Sequence, residues 1–265
     1  MINEKILENI RRYGVCEDSG EARYKVLVED IGFKMDQKAE YVVIGGCFQP
    51  ECMPDVFRAL KDIFEHLKMD YTFLSREYCC GWVPLGQPAV MAKNEEDIAK
   101  FKELSQSFVV ENFRQAEALG AKSIVLFCAA CEPSYSNCRD ATQLEIISHV
   151  ELLDRYFQGG RLNLEVDYYP GCYRFRRRIT TEPIDVEPAM RVLQKIEGLE
   201  VNQLDSNLCC YIPPHLEQLT GSLKTNNLVT ICTGCYVNLK QNLQEKGNYR
   251  VRMLPEIVLE AFEDW

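Results

Sequence analysis

Ten of the thirteen cysteines in this 265-residue chain fall into one pattern written twice. The first copy is Cys47, the adjacent pair Cys79 and Cys80, and a CxxC formed by Cys128 and Cys131; the second is Cys172, the pair Cys209 and Cys210, and a CxxC formed by Cys232 and Cys235. From single cysteine to pair there are 31 residues in the first copy and 36 in the second, and from pair to CxxC 47 and 21. Such a density of thiols in a chain kept reduced points to metal binding or redox chemistry. Side chains of adjacent cysteines diverge and rarely share one ion, whereas a multi-iron cluster offers each thiolate its own iron. Five thiolates also overfill a tetrahedral zinc site, which takes four. Iron–sulfur chemistry is favoured; zinc, dithiol redox and structural thiols are the competing readings.

The elements that must position these thiols can be traced from periodicity. Segment 41–46 (YVVIGG) predicts a strand ending at Cys47, and Val56, Leu60, Ile63, Phe64 and Leu67 keep helical spacing over 55–69. A strand over 71–74 leads to Cys79 and Cys80, an amphipathic helix covers about 95–119, and SIVLF (123–127) predicts a buried strand stopping at Cys128. A helix over 150–157 closes this half near Gly159 and Gly160. The order then repeats: strand 165–169 before Cys172, helix 187–196, strand 199–204 before Cys209, strand 227–231 before Cys232. Even the tail rhymes, with 145–149 ahead of one helix and 251–255 ahead of another, over 256–263. Self-similarity of this kind points to duplicated architecture.

Alternating strands and helices imply parallel sheets, whose binding sites gather in loops at the carboxyl ends of strands. The expected fold is therefore α/β: two pseudo-symmetric halves with parallel sheets flanked by helices, the cysteine loops at strand carboxyl ends. The expected division is an N-terminal lead segment over 1–40, a first half over 41–160 and a second over 161–265. In the lead segment Ile6, Leu7 and Ile10 suggest a short amphipathic helix that packs on the core or on a partner.

Composition bounds the function. Hydrophobic residues make up 46% and charged residues 26%, an ordinary globular balance, and 30 Lys plus Arg against 40 Asp plus Glu give a net charge of −10. That is the wrong sign for a general nucleic-acid binder. No run approaches 18 apolar residues and MINEKILENIRRYG lacks a secretory signal, so a cytoplasmic protein without a membrane span is expected.

With its cysteine strings YCCGW (78–82), FCAAC (127–131), YYPGC (168–172), NLCCY (207–211) and ICTGC (231–235), the chain resembles the CCG-domain (cysteine-rich) family, typified by the B-type subunit of heterodisulfide reductase, over about 41–263. The resemblance implies that each cysteine set holds a non-cubane [4Fe-4S] cluster, with Cys47, Cys79, Cys80, Cys128 and Cys131 around one and Cys172, Cys209, Cys210, Cys232 and Cys235 around the other. It further implies that a substrate disulfide is cleaved between the two clusters. Two departures stand out: Tyr211 follows the second pair where Gly81 follows the first, and the second pair-to-CxxC spacing is short. A glycine there permits positive φ or a close backbone approach, so Tyr211 implies altered local geometry. That leaves open a second cluster of another type, one that only relays electrons.

Several residues lie outside this frame. Cys16, Cys52 and Cys138 are expected to be inert packing thiols. Arg174, Arg176, Arg177 and Arg178 form a basic run that suits anion binding, against the blander readings of a solvated face or a docking patch for an acidic partner. His149 and His215 are candidate proton donors to a thiolate product, with a structural role as the safer reading. No GxGxxG follows a strand, and neither a GxxxxGK[ST] nor a ferredoxin-type CxxCxxCxxxC run occurs, so electrons are expected from a ferredoxin-like or flavin-bearing redox subunit in a complex. A small disulfide or thiol is the expected substrate. The alternatives are an electron-transfer subunit of a CCG-type dehydrogenase complex without disulfide chemistry, and a zinc-stabilised interaction module.

Overall fold

The computed structural model describes residues 2–172, 187–244 and 246–263. In chain order the first elements are α1 (Glu4–Tyr13), α2 (Glu21–Tyr24), β1 (Tyr41–Ile44), α3 (Gln49–Cys52), α4 (Pro54–His66), β2 (Tyr71–Phe73), α5 (Gln87–Met91), α6 (Glu95–Ala118), β3 (Ser123–Leu126), α7 (Glu132–Ser136), β4 (Glu145–Ser148) and α8 (His149–Tyr156). There follow β5 (Gly160–Tyr169), α9 (Glu187–Gln194), β6 (Ile196–Gln203), α10 (Pro213–Gly221), β7 (Asn227–Thr230), α11 (Thr233–Gln244), β8 (Arg250–Met253) and α12 (Leu254–Glu263). Two compact units result, one built from 1–54 and 69–148, the other from 55–68, 149–172 and 187–263. Helix α4, between β1 and β2 in the chain, groups with the second unit, where His66 stacks on Phe262 with ring centroids 4.1 Å apart.

Each unit holds a four-stranded, all-parallel sheet, in the order β2-β1-β3-β4 and β6-β5-β7-β8. The α/β fold with two parallel sheets is as expected. The tail segments that rhyme in the sequence are the fourth strands, β4 and β8, whose short apolar runs do not announce strands on their own. In the first sheet Tyr41 pairs with both Tyr71 and Ser123, and Ser123 with Glu145, so the strand ends are level. Strands β1 and β3 are buried along their whole length, as befits a parallel sheet covered on both faces. Strand order reverses beside β1: the chain moves from β1 out to β2, then returns to β3 on the other side. The second sheet reverses in the same way beside β5. A crevice opens outside the carboxyl ends at such a reversal, because the two connections leave in opposite directions.

The lead segment packs on the core. Helix α1 is capped by the Asn3 side chain, which accepts the Ile6 N–H, and ends at Gly14 with φ of 79°. Leu7 and Ile10 are buried among the first unit's core residues, so of the two readings left open for this helix the core contact holds. Helix α6 opens with the Asn94 side chain accepting the Asp97 N–H and three acidic residues in its first turn, which suits the helix dipole. Its buried face runs Ile98, Phe101, Phe108, Val109, Phe113 and Ala116.

Beneath the first cysteine loops lies a buried ion pair. Arg23 donates to Glu77 at 2.8 Å, with 4% and 2% of the two side chains exposed. Glu77 also accepts the N–H groups of Gly45 and Gly46, while Arg23 donates to the carbonyls of Gly46 and Leu74. Burial raises the Glu77 carboxyl above its ordinary range in spite of Arg23 and the two N–H donors. The pair therefore fixes loop geometry more than it adds net stability. In the second unit Asp167, fully buried on β5, accepts the N–H groups of Lys224 and Thr225, the Thr225 hydroxyl and the Asn202 amide, tying the turn before β7 to β5. Among the described residues no helix is long and apolar enough to cross a membrane.

Removing one member of the buried pair leaves its partner uncompensated, so Arg23→Met should cost about 3–5 kcal/mol in urea unfolding. Lys61→Ala, which breaks an exposed i,i+4 pair with Glu65, should cost under about 1 kcal/mol.

Candidate metal centre

The first crevice receives thiols from every connection around it. Cys47 lies three residues beyond β1, Cys128 two beyond β3, and Cys79 six beyond β2, all at the carboxyl ends of the strands. Cys47, Cys79, Cys80, Cys128 and Cys131 are buried and none is in a disulfide. Sulfur atoms of Cys47 and Cys79 stand 3.2 Å apart. The Cys80 thiol is lowered well below its ordinary value, chiefly by hydrogen bonding with Cys131 and then with Cys79. Cys131 in turn is raised by hydrogen bonding with Cys128 first and Cys80 second. The motif thiols thus form one continuous run of sulfur, from Cys47 through Cys79, Cys80 and Cys131 to Cys128.

A sixth thiol joins them. Cys16 Sγ lies 3.4 Å from Cys79 Sγ and 3.6 Å from Cys47 Sγ, which corrects the expectation of an inert packing cysteine. Its thiol is lowered to about 5 by hydrogen bonding with Cys47 and then Cys79, which outweighs burial, while the Cys47 and Cys79 thiols are raised. Cys138 is buried in the core with its thiol raised to about 11, first by burial and then by the charge of Cys80, and Cys52 is exposed on α3.

Backbone contacts explain why the pair sits where it does. The Cys79 N–H donates to the carbonyl of Gly14 at 2.7 Å, so the end of α1 holds the first cysteine of the pair. Helix α6 holds the rest: the Asn112 amide accepts the Tyr78 N–H and donates to the Tyr78 carbonyl, both at 2.8 Å, and the Ser105 hydroxyl donates to the Cys80 carbonyl at 2.7 Å. Ser105 and Asn112 lie two turns apart on the apolar face of α6, where polar side chains are costly unless bonded. That interruption of an apolar stripe was the available sequence signal for both. Gly81 follows the pair with φ of 75°, and its N–H donates to Cys79 Sγ at 3.4 Å.

Gln49 is 1% exposed and donates through Nε2 to Cys128 Sγ at 2.8 Å. Its Oε1 has no hydrogen-bond partner among the described residues. Gly46 at φ of 93° leaves room for this amide; a Cβ there would overlap Oε1. A half-open groove of 260 Å³ runs alongside, lined by Phe101, Lys102, Ser105, Gln106, Ser134 and Cys138.

In the second unit Cys172 follows β5 and Cys232 follows β7, flanking the equivalent reversal of strand order. Cys209, Cys210 and Cys235 are buried, Cys172 and Cys232 half-buried. The sulfurs of Cys210 and Cys235 are 3.4 Å apart. Hydrogen bonding with Cys172, then burial, raises the Cys209 thiol, and hydrogen bonding with Cys235 lowers that of Cys232. The pair is again held at both ends by other means: the Cys209 N–H donates to His215 Nδ1 at 3.1 Å, and the Asn238 amide donates to the Cys210 carbonyl at 2.7 Å. The Tyr169 hydroxyl of β5 donates to the Leu208 carbonyl just upstream. His215 thus has a backbone-bracing role, and His149 is buried at the start of α8. Tyr211 does not adopt positive φ; its hydroxyl donates to the Gly234 carbonyl within the CxxC. The local geometry differs from that at Gly81, as the substitution implied. Arg174, Arg176, Arg177 and Arg178 lie outside the described residues.

The donor sets suit a metal–sulfur group. Thiols packed sulfur to sulfur cannot all ionise unless a cation stands among them, and ionised cysteine is the ligating form. Hydrogen-bond donors aimed at sulfur, from Gln49 and Gly81, stabilise ligated thiolates.

Comparison with known proteins agrees with this chemistry. Residues 41–134 match the cysteine-rich domain family CCG. The chain is similar to the B-type subunit of the fumarate reductase (CoM/CoB) of Methanothermobacter marburgensis, at 22% identity over 263 residues, covering 91% of this chain and 50% of that protein. The chain therefore spans about half the length of this curated relative. Solved structures with some likeness include an aspartate racemase homologue from Pyrococcus horikoshii, at 13% identity and a TM-score of 0.37 over 86% of this chain and 96% of that one. Another is a glutamate racemase from Bacillus anthracis, at 11% identity and a TM-score of 0.37 over 87% and 80%. Matched motif and gathered thiols together make this chain a CCG-domain protein, with residues 41–134 as its CCG cysteine-rich domain.

Proposed function

We propose that the chain is the iron–sulfur subunit of a cytoplasmic, heterodisulfide-reductase-like complex, taking electrons from a ferredoxin-like or flavin-bearing partner and reducing a small disulfide to two thiols. The carrying observation is the unbroken run of buried sulfurs at the first crevice, built by loops from three strands and braced by α1 and α6. Bound non-cubane [4Fe-4S] clusters would supply one-electron transfer and iron sites with affinity for sulfur. Cys47, Cys79, Cys80, Cys128 and Cys131 would hold one cluster, and Cys172, Cys209, Cys210, Cys232 and Cys235 the second. Two electrons and two protons convert the disulfide to its thiols, so a one-electron donor must deliver twice. Asn112 and Ser105 keep the pair rigid through this change of charge, and Gln49 donates to Cys128 whichever oxidation state is present. The groove beside Ser105 and Ser134 offers a small substrate an approach to the first crevice.

A second reading, that the second centre only relays electrons in a dehydrogenase complex without disulfide chemistry, is favoured by one observation. The Tyr211 hydroxyl bonds across to Gly234 and encloses the CxxC turn where the first pair has an open glycine.

Anaerobically purified protein should carry iron and acid-labile sulfide enough for two clusters, and an added substrate thiol should change its electron paramagnetic resonance signal. Zinc without sulfide would overturn the iron–sulfur reading, and a signal indifferent to all thiols would leave only the relay. Gln49→Leu removes a donor to sulfur, so in a redox titration the first centre's midpoint potential should fall while iron content is kept.

A further inference from the structure

Cys16 stands outside the repeated motif, yet its place at the first crevice is built rather than incidental. Gly14, turning at φ of 79°, ends α1 and sends the chain back over the crevice. Asn9, only 9% exposed, donates to the Cys16 carbonyl at 2.9 Å and to Asp18 at 3.1 Å, fixing the backbone on either side of the thiol. Gly14 meanwhile accepts the Cys79 N–H, locking this turn to the motif pair. One short stretch therefore sets both Cys79 and Cys16.

The result is a triangle of sulfurs from Cys16, Cys47 and Cys79 with edges of 3.2, 3.4 and 3.6 Å. Ligand sulfurs at about 2.3 Å from one tetrahedrally bound metal ion stand about 3.8 Å apart, so these edges are close to those of three thiolates sharing one ion. No other group of three Cys, His, Asp or Glu side chains among the described residues converges in this way. Cys16 is also the half-buried member of the six, placing it at the solvent side of the set.

We propose that Cys16 is a sixth protein ligand of the first metal centre, bound together with Cys47 and Cys79 to a single metal ion and closing the centre on its solvent side. This rests on the iron–sulfur reading for the identity of the metal, though not for the ligation itself. Ligation breaks the Cys16 S–H bond, forms a sulfur–metal bond and releases the proton to solvent, with no change of oxidation state. Five motif thiols remain to hold the centre when Cys16 is lost, so the sixth ligand governs access and electronic structure more than retention.

Two measurements on the full chain test this. In the first, reduced metal-free protein and protein reconstituted with iron and sulfide are alkylated with iodoacetamide and mapped by mass spectrometry, with exposed Cys52 as internal control. Modification of Cys16 should slow roughly tenfold or more on reconstitution while Cys52 is unaffected, because a ligated thiolate is not available as a nucleophile. Equal rates at Cys16 in both forms would overturn the proposal. In the second, Co(II) is titrated into reduced metal-free wild type, Cys16→Ala and Cys52→Ala. Loss of one thiolate's share of the sulfur-to-cobalt charge-transfer absorption in Cys16→Ala alone supports ligation, and spectra matching wild type refute it. Should the protein hold no iron or sulfide at all, the iron–sulfur reading fails, and the cobalt titration still decides whether Cys16 ligates. Misfolding of the Cys16→Ala variant leaves the alkylation of wild type as the deciding result.

Discussion

The level ends of each parallel sheet, with strand order reversing beside the first strand, constrain everything else. A parallel strand must be followed by a connection that leaves its carboxyl end and returns to the opposite edge. Where two such connections part, neither covers the gap, and the loops bordering it come from strands far apart in sequence. In the first unit those loops carry Cys47, Cys79 and Cys128, and in the second Cys172, Cys209 and Cys232. Thiols separated by tens of residues meet because the hydrogen-bond register levels their strands. Shifting one strand by a single residue would turn its side chains to the other face and misplace its loop.

Register alone leaves loops free to move, and buried polar groups supply the rigidity. Arg23 and Glu77 bind the turn at Gly45 and Gly46 to the segment before the cysteine pair, so the loops after β1 and β2 cannot part without exposing an unpaired charge. Burial raises Glu77 in spite of its partner, which marks a pair retained for geometry. Asn112 and Ser105 act in the same way from α6, each placing a polar group on an apolar face where only one arrangement satisfies it.

The two units share sheet order and cysteine placement but brace their pairs differently. In both, the first cysteine's N–H and the second's carbonyl are bonded from outside. Gly14 and Ser105 do so in one unit, His215 and Asn238 in the other. Duplication preserved what must be held while the holding residues changed. The same freedom accounts for Tyr211: without a left-handed residue after the pair, the chain turns differently and a phenol fills space over the CxxC.

By itself the sequence determined the strand and helix order, the parallel sheets and the ten repeated thiols, because periodicity is local and cysteine spacing is visible without coordinates. Strands β4 and β8 escaped it, since four residues carry too little period to distinguish a strand from a turn. Only tertiary structure decided that Cys16 belongs with Cys47 and Cys79, that Gln49 reaches Cys128, and that Arg23 pairs with Glu77 across 54 residues. Such contacts depend on how turns and helix ends aim single side chains. Nothing in the local pattern of residues 9–18 or 23 announces which distant loop they meet, and the fold alone supplies that information.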